Sequence, residues 1–142
     1  MKIKDVKKIE QKVIKNKKGN ILKFLNKNSS FFKTFGEVYF TEILKNKIKG
    51  WNYHKKNQCI LCVPHGKVEF FLVDGRKNSK TYLKEDRITV GKKRPFIIIV
   101  PPKIWISFKS KEKNSLVVNF MERPHSKDEA LKSNLVKNYL IK

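Results

Sequence analysis

Short apolar segments separated by turn residues run through most of this chain. The segments are rich in Val, Ile, Phe and Tyr, whereas Gly, Pro, Asn and Asp stand between them. This pattern is typical of the strands of a β-sandwich or barrel. It predicts strands at residues 12–15, 21–25, 37–43, 48–54, 58–63, 67–73, 81–83, 87–90, 96–100, 104–108 and 116–121.

The pattern changes after residue 125. Ser126 and Glu129 have the spacing of a capping box, in which a serine caps the helix and a glutamate stands three residues later. Apolar residues then recur every four positions, at Leu131, Leu135 and Tyr139. The sequence therefore predicts a short amphipathic C-terminal helix over 126–141.

The rest of the chain predicts a single all-β domain. Residues 1–16 are rich in lysine, and we expect them to form a basic lead-in. No linker or internal repeat divides the remainder, so one domain is expected over 1–142. No apolar run approaches the ~20 residues that span a bilayer, so membrane insertion is not expected.

The formal net charge of +22 changes this picture less than its size suggests. Only four of the 34 basic residues are arginine, and the lysines are spread along the whole chain. Proteins that bind specific nucleic-acid sequences usually rely on arginine, because its planar guanidinium matches phosphates and guanine edges. Specific nucleic-acid binding is therefore not expected here. The electrostatic field of these lysines would also attract an anionic small substrate.

The two cysteines, Cys59 and Cys62, stand three residues apart in a predicted strand. Side chains at this spacing point to opposite faces of a strand, which is poor geometry for a disulfide or a shared metal. We expect both to be buried structural thiols and the protein to be cytoplasmic.

Five motifs in a fixed order resemble those of a known family. They are GEVYFTEI at 36–43, KIKGWNYHKK at 47–56, VPHGKVEFFLVDGR at 63–76, VPPKIWISFK at 100–109 and VVNFMERPHSKDE at 117–129. In combination they resemble the RmlC-like cupins related to dTDP-4-dehydrorhamnose 3,5-epimerase, and in part the sugar-nucleotide 3,4-ketoisomerases. The resemblance covers roughly residues 17–129.

The resemblance implies a fold and a reaction. The fold is the cupin-type double-stranded β-helix, or jelly roll, usually a homodimer, with a pocket for a nucleotide-linked 4-keto-6-deoxy sugar and no metal or other cofactor. The reaction is proton transfer next to the C4 ketone, in the biosynthesis of surface-polysaccharide sugars. It requires a base near the C–H bond, an acid, and donors that stabilise the enolate oxygen.

The family's catalytic residues are only partly present. The epimerases take their base from an Arg-Gly-x-His segment, which corresponds here to Lys49-Gly50-Trp51-Asn52, and an amide cannot accept a proton near neutral pH. The ketoisomerase motif Arg-Gly-x-His-x-His retains its second histidine as His54, and Tyr39 lies near the functional tyrosine of those enzymes. The candidate catalytic residues are His54, Tyr39, Tyr53 and His125.

The candidate substrate-binding residues are Lys49, Trp51, Asn52, Gln58, Arg76, Trp105 and Asn119. Lys49 keeps the charge of the family's arginine, and Asn119 stands at about the position of its tyrosine acid. Two interpretations stay open for each aromatic residue, which either lines the pocket or packs in the core. Arg76 either contacts phosphate or ends a strand.

Metal-binding cupins use a His-x-His pair, a glutamate and a later histidine. At these positions this chain has Asn52, His54, Gln58 and the pair Trp105-Ile106, so no metal is expected. Two hypotheses follow: an isomerase or epimerase whose base is His54, or a catalytically inactive cupin that retains the sugar-nucleotide pocket.

Overall fold

The computed structural model describes residues 1–133, and within this range the chain is built from β-strands and loops. The strands are β1 Lys7–Glu10, β2 Val13–Ile14, β3 Ile21–Leu22, β4 Glu37–Leu44, β5 Ile48–His54, β6 Cys59–His65, β7 Lys67–Asp74, β8 Glu85–Gly91, β9 Phe96–Val100, β10 Ile104–Ser110, β11 Asn114–Met121 and β12 Ala130–Lys132.

Two five-stranded antiparallel sheets form the body of the domain. Their strand orders are β1-β9-β6-β11-β4 and β12-β5-β10-β7-β8, and β2 and β3 form a separate hairpin. This arrangement confirms the predicted all-β jelly roll. Because side chains alternate along each strand, one face of each sheet supplies the apolar core between the sheets. Phe70 and Phe108 meet there with ring centroids 5.7 Å apart.

The N-terminal segment is more firmly attached than the basic lead-in we expected. Ile3 and Val6 are buried in the core, and β1 pairs with β9 at the edge of the first sheet. The buried carboxylate of Asp86 accepts hydrogen bonds from the backbone N–H groups of Lys2 and Ile3. Because lysines dominate the composition of this segment, the burial of its few apolar residues is not evident from the sequence.

Two predicted elements are wrong within the described residues. Residues 81–83 form a turn in which Leu83 has φ 62°, not a strand. The predicted C-terminal helix is replaced by a turn and by β12, whose Ala130 pairs with His54 of β5. The remainder of that helix, 134–142, lies outside the described residues.

Candidate active site

A cavity of about 120 Å³ lies between the two sheets. Its polar lining comes from β4, β5, β6 and β11, and its apolar walls come from β6, β10 and β11. The lining residues are Tyr39, Thr41, Lys49, Asn52, His54, Cys59, Leu61, Ile106, Phe108, Val117 and Asn119. Five of the sequence-predicted site residues therefore meet in one place: Tyr39, Lys49, Asn52, His54 and Asn119.

An irregularity in β5 brings Lys49 and Asn52 to the same cavity. Along β10, Phe108 pairs with Lys49 and Ile106 pairs with Asn52, so two residues of β5 stand where β10 has only Ser107. Such a bulge shifts the alternation of side chains by one residue. Without it, Lys49 and Asn52 would point to opposite faces of the sheet.

Gly50 makes this bulge feasible. Its φ is +113°, a conformation that L side chains rarely adopt. A Cβ atom at this position would stand 2.6 Å from the carbonyl oxygen of Ile106 and 2.9 Å from the Cα atom of Ser107. The backbone of the strand thus requires the glycine at position 50.

His54 is held by a carboxylate that the sequence analysis assigned to a helix cap. Its Nδ1 atom lies 2.9 Å from Oε2 of Glu129, and both side chains are buried. The other oxygen of Glu129 accepts hydrogen bonds from the backbone N–H groups of Lys56 and Asn57, at 3.0 and 2.9 Å. Glu129 therefore joins the end of β5, the loop that follows it, and the segment that leads into β12.

This environment determines the charge of Glu129 and the tautomer of His54. Burial alone would raise the pKa of the Glu129 carboxyl, but hydrogen bonds from His54, Asn57 and Lys56 outweigh it and hold that pKa below its usual value. An ionised carboxylate only accepts hydrogen bonds, so Nδ1 of His54 carries the proton. The ring nitrogen left to accept a proton is then Nε2.

Tyr39 and Asn119 form a second polar pair in the cavity. They are directly opposite each other on β4 and β11, and Nδ2 of Asn119 donates a hydrogen bond of 2.9 Å to the Tyr39 hydroxyl oxygen. Burial raises the pKa of Tyr39, so its phenol stays protonated near neutral pH. The same Nδ2 atom lies 3.6 Å from Sγ of Cys59, whose pKa burial raises to about 12.

The other aromatic candidates do not line this cavity. Trp51 is buried with Phe71 and Val73 in a separate cluster, against which Trp105 packs. Tyr53 lies with its ring centroid 4.8 Å from that of Trp105 and borders a different, lysine-rich cleft. Their positions favour a packing role.

Arg76 also lies away from the cavity. Its guanidinium donates to both carboxylate oxygens of Asp74, to Asp5 and to the backbone carbonyl of Lys4. These contacts connect the end of β7 to the N-terminal segment. Of the two interpretations left open for Arg76, this placement favours the structural one.

Gln58 and His125 lie in loops and do not line the cavity. The Gln58 amide donates to the backbone carbonyl of Phe31, and the backbone N–H of His125 donates to Glu37. Sequence reasoning missed Glu129 and Cys59 as site residues. The alternation of β6 could have indicated Cys59, but no local pattern pairs Glu129 with a histidine 75 positions earlier in the chain.

Within residues 1–133, no group of three or more His, Cys, Asp or Glu side chains could hold a metal ion. The same residues contain no helix that is long and apolar enough to cross a membrane.

The family model for dTDP-4-dehydrorhamnose 3,5-epimerase matches residues 1–136 of this chain. The chain belongs to this epimerase family. The match covers every strand that lines the cavity and includes residues 36–129, where the five motifs quoted above lie.

Among solved structures, a dTDP sugar isomerase from Desulfovibrio desulfuricans G20 is 28% identical, with a TM-score of 0.90 over 93% of this chain and 85% of that one. The dTDP-4-dehydrorhamnose 3,5-epimerase from Bacillus anthracis, solved with TDP and PPi bound, is 18% identical, with a TM-score of 0.82 over 90% and 78%. The latter likeness is one of fold.

A curated relative is the spore coat polysaccharide biosynthesis protein SpsL of Bacillus subtilis. It is 24% identical over 84 residues, which are 59% of this chain and 56% of that protein. The match thus spans about half the length of the relative.

Proposed function

We propose that this protein is a sugar-nucleotide isomerase or epimerase that moves a proton on a carbon next to the C4 ketone of a dTDP-linked 4-keto-6-deoxy sugar. Family membership supports the reaction class, and the names of the relatives support the nucleotide. The observation that carries the proposal is the buried hydrogen bond between Nδ1 of His54 and Glu129. This bond prepares His54 to act as the base, a role that the amide of Asn52 cannot take.

In the proposed mechanism, Nε2 of His54 takes the proton from the carbon, and the C–H electron pair forms the enolate with the C4 oxygen. The carboxylate of Glu129 stabilises the imidazolium that results, because it is ionised and 2.9 Å from Nδ1. The neutral phenol of Tyr39 donates a hydrogen bond to the oxygen on which charge develops. Delivery of a proton to the opposite face of the same carbon, with re-formation of the C4 ketone, completes an epimerisation. Delivery of a proton to C4, with transfer of the C3 hydroxyl proton to the C4 oxygen, completes a 3,4-isomerisation.

Lys49 is proposed to contact the diphosphate. Its side chain is exposed and also lines the cavity, so it stands at the opening. A cavity of about 120 Å³ takes part of a sugar ring and leaves the nucleotide outside. A lysine at the opening then meets the charged linkage between the sugar and the nucleotide, and the half-buried Asn52 adds an amide to the cavity lining.

The proposal is tested by incubating the protein with dTDP-4-keto-6-deoxyglucose and following the sugar by NMR. The wild type should convert it to an isomer, and His54→Gln should lose at least about 100-fold in rate, since general-base catalysis contributes 10²–10⁴-fold. His65→Gln, at the exposed end of β6 and outside the lining of the cavity, is the matched control and should keep the wild-type rate. Saturable binding of the ligand without conversion would favour the inactive sugar-nucleotide binder instead.

We also propose a homodimer that uses the outer face of β4. Within residues 1–133, β4 is the last strand of its sheet, and its outer face exposes Val38 and Phe40 at 41% and 66%. Phe35, which is 65% exposed, packs near them against Phe120. Exposed apolar side chains on an edge strand favour association with another chain. Phe40→Lys should shift the sedimentation coefficient from dimer to monomer, and an unchanged dimer would exclude this face.

We propose that the product enters polysaccharide biosynthesis, as the name of SpsL suggests for that protein. We further propose that the protein acts in the cytoplasm, where its two free buried thiols stay reduced.

A further inference from the structure

One hydrogen-bonding atom in the cavity has no partner. The Oδ1 atom of Asn119 is buried and accepts no hydrogen bond within the part of the chain that the structure describes. Asn119 is only 5% exposed, and its side chain lines the cavity together with His54 and Tyr39. Buried acceptors are nearly always satisfied, so an unpaired one in a binding cavity points to a ligand donor.

The neighbours of Asn119 determine which hydrogen-bonding groups Asn119 and Tyr39 offer to a ligand. Its Nδ2 atom faces the Tyr39 hydroxyl oxygen at 2.9 Å and the sulfur of Cys59 at 3.6 Å, whereas Oδ1 makes no hydrogen bond to either. The Tyr39 oxygen accepts this bond, which leaves its own proton free to donate. Tyr39 and Asn119 therefore present a donor and an acceptor side by side.

We propose that Oδ1 of Asn119 accepts a hydrogen bond from a substrate hydroxyl, so that the site selects keto sugars that retain the hydroxyl on C3, next to the C4 ketone. The inference rests on the proposed function, because it takes the ligand to be a 4-keto sugar. An α-hydroxy ketone carries an acceptor and a donor on adjacent carbons. The ketone oxygen faces the Tyr39 hydroxyl, and the C3 hydroxyl faces Asn119.

This arrangement makes Asn119 a specificity residue and not a proton-transfer residue. A 3-deoxy sugar would leave Oδ1 buried and unpaired in the complex, which is costly because the acceptor loses water and gains no partner. Sites that hydrogen-bond a substrate hydroxyl reject analogues that lack it for this reason. The expected discrimination is at least about tenfold in affinity.

The test compares two ligands by rapid competition against dTDP, so that binding is measured without turnover. They are dTDP-4-keto-6-deoxyglucose and its 3-deoxy counterpart. The wild type should bind the hydroxyl-bearing sugar at least about tenfold more tightly. Asn119→Leu, or Asn119→Val if the leucine variant does not fold, should reduce this ratio to about threefold or less. Cys62→Ala is the control, because Cys62 pairs with Val118 and lies on the opposite face of the sheet from Asn119.

The outcomes separate the two proposals. Equal affinity of the wild type for the two sugars would overturn the role of Asn119, as would a ratio unchanged in the Asn119 variants. Hydrogen exchange at the carbon next to the ketone is measured in the same samples. A ratio near one with exchange present refutes only the inference about Asn119. A ratio of tenfold or more with exchange absent refutes proton transfer and supports selection of the hydroxyl.

Discussion

Replacing Glu129 by glutamine should separate the stability of this domain from its chemistry. The amide is nearly isosteric with the carboxylate, and its oxygen still accepts hydrogen bonds from the backbone N–H groups of Lys56 and Asn57. Its NH₂ group then faces Nδ1 of His54. Two donors cannot face each other, so the ring adopts the tautomer that carries its proton on Nε2.

The magnitudes follow from these contacts. Three charge-assisted hydrogen bonds become neutral ones, which should lower the free energy of unfolding by about 1–3 kcal/mol. That loss lowers the melting temperature by roughly 2–12 °C and leaves the domain folded. The rate of proton exchange should fall much further, by at least about 100-fold, because the atom assigned as the base is already protonated.

The assay pairs urea unfolding with deuterium exchange at the carbon next to the ketone. Asp128→Asn is the matched control, since it removes the same charge from the neighbouring, exposed position. It should match the wild type in both measurements. Deuterium exchange by Glu129→Gln within about threefold of the wild-type rate would contradict the role of Glu129. A loss of stability and exchange rate in Asp128→Asn as large as that in Glu129→Gln would contradict it too.

Three further predictions follow from the structure. Burial raises the pKa of the Cys59 and Cys62 thiols to about 12, so iodoacetamide at pH 8 should leave both unmodified until urea unfolds the chain; rapid labelling of the native protein would contradict this. The pKa of Glu129 is lowered in the folded state, so its contribution to stability is complete above the unfolded value of ~4.3 and is lost as pH falls through the folded value. The acid side of the stability profile should therefore be shallower in Glu129→Gln, and identical slopes would exclude the linkage. Gly50→Ala should lower the free energy of unfolding by roughly 2–4 kcal/mol in urea titration, because a Cβ atom meets the Ile106 carbonyl at 2.6 Å, and an unchanged midpoint would show that the bulge is not required.

The sequence predicted the fold because its alternating apolar segments and its family motifs indicate the same jelly roll. It also placed Tyr39, Lys49, Asn52, His54 and Asn119 together through the resemblance. Local patterns were less reliable where long-range contacts decide the structure. Ser126 and Glu129 have the spacing of a helix cap, yet burial of Glu129 against His54 and pairing of Ala130 with His54 produce a strand.

The same limit applies to the aromatic candidates. Tyr53 lies between Asn52 and His54 in sequence, but the alternation of a strand turns its ring to the opposite face. Trp51 is the extra residue of the bulge in β5, and its side chain is buried away from the cavity. Neither the bulge nor the unpaired Oδ1 atom of Asn119 follows from residue types alone, since both depend on the register of neighbouring strands.

The most direct test of His54 as the base is deuterium uptake by dTDP-4-keto-6-deoxyglucose in D₂O, followed by NMR at the carbons next to the ketone. The wild type should introduce deuterium well above the rate of a protein-free sample, and His54→Gln should be at least about 100-fold slower. Equal uptake by wild type and His54→Gln would contradict the assignment of His54 as the base.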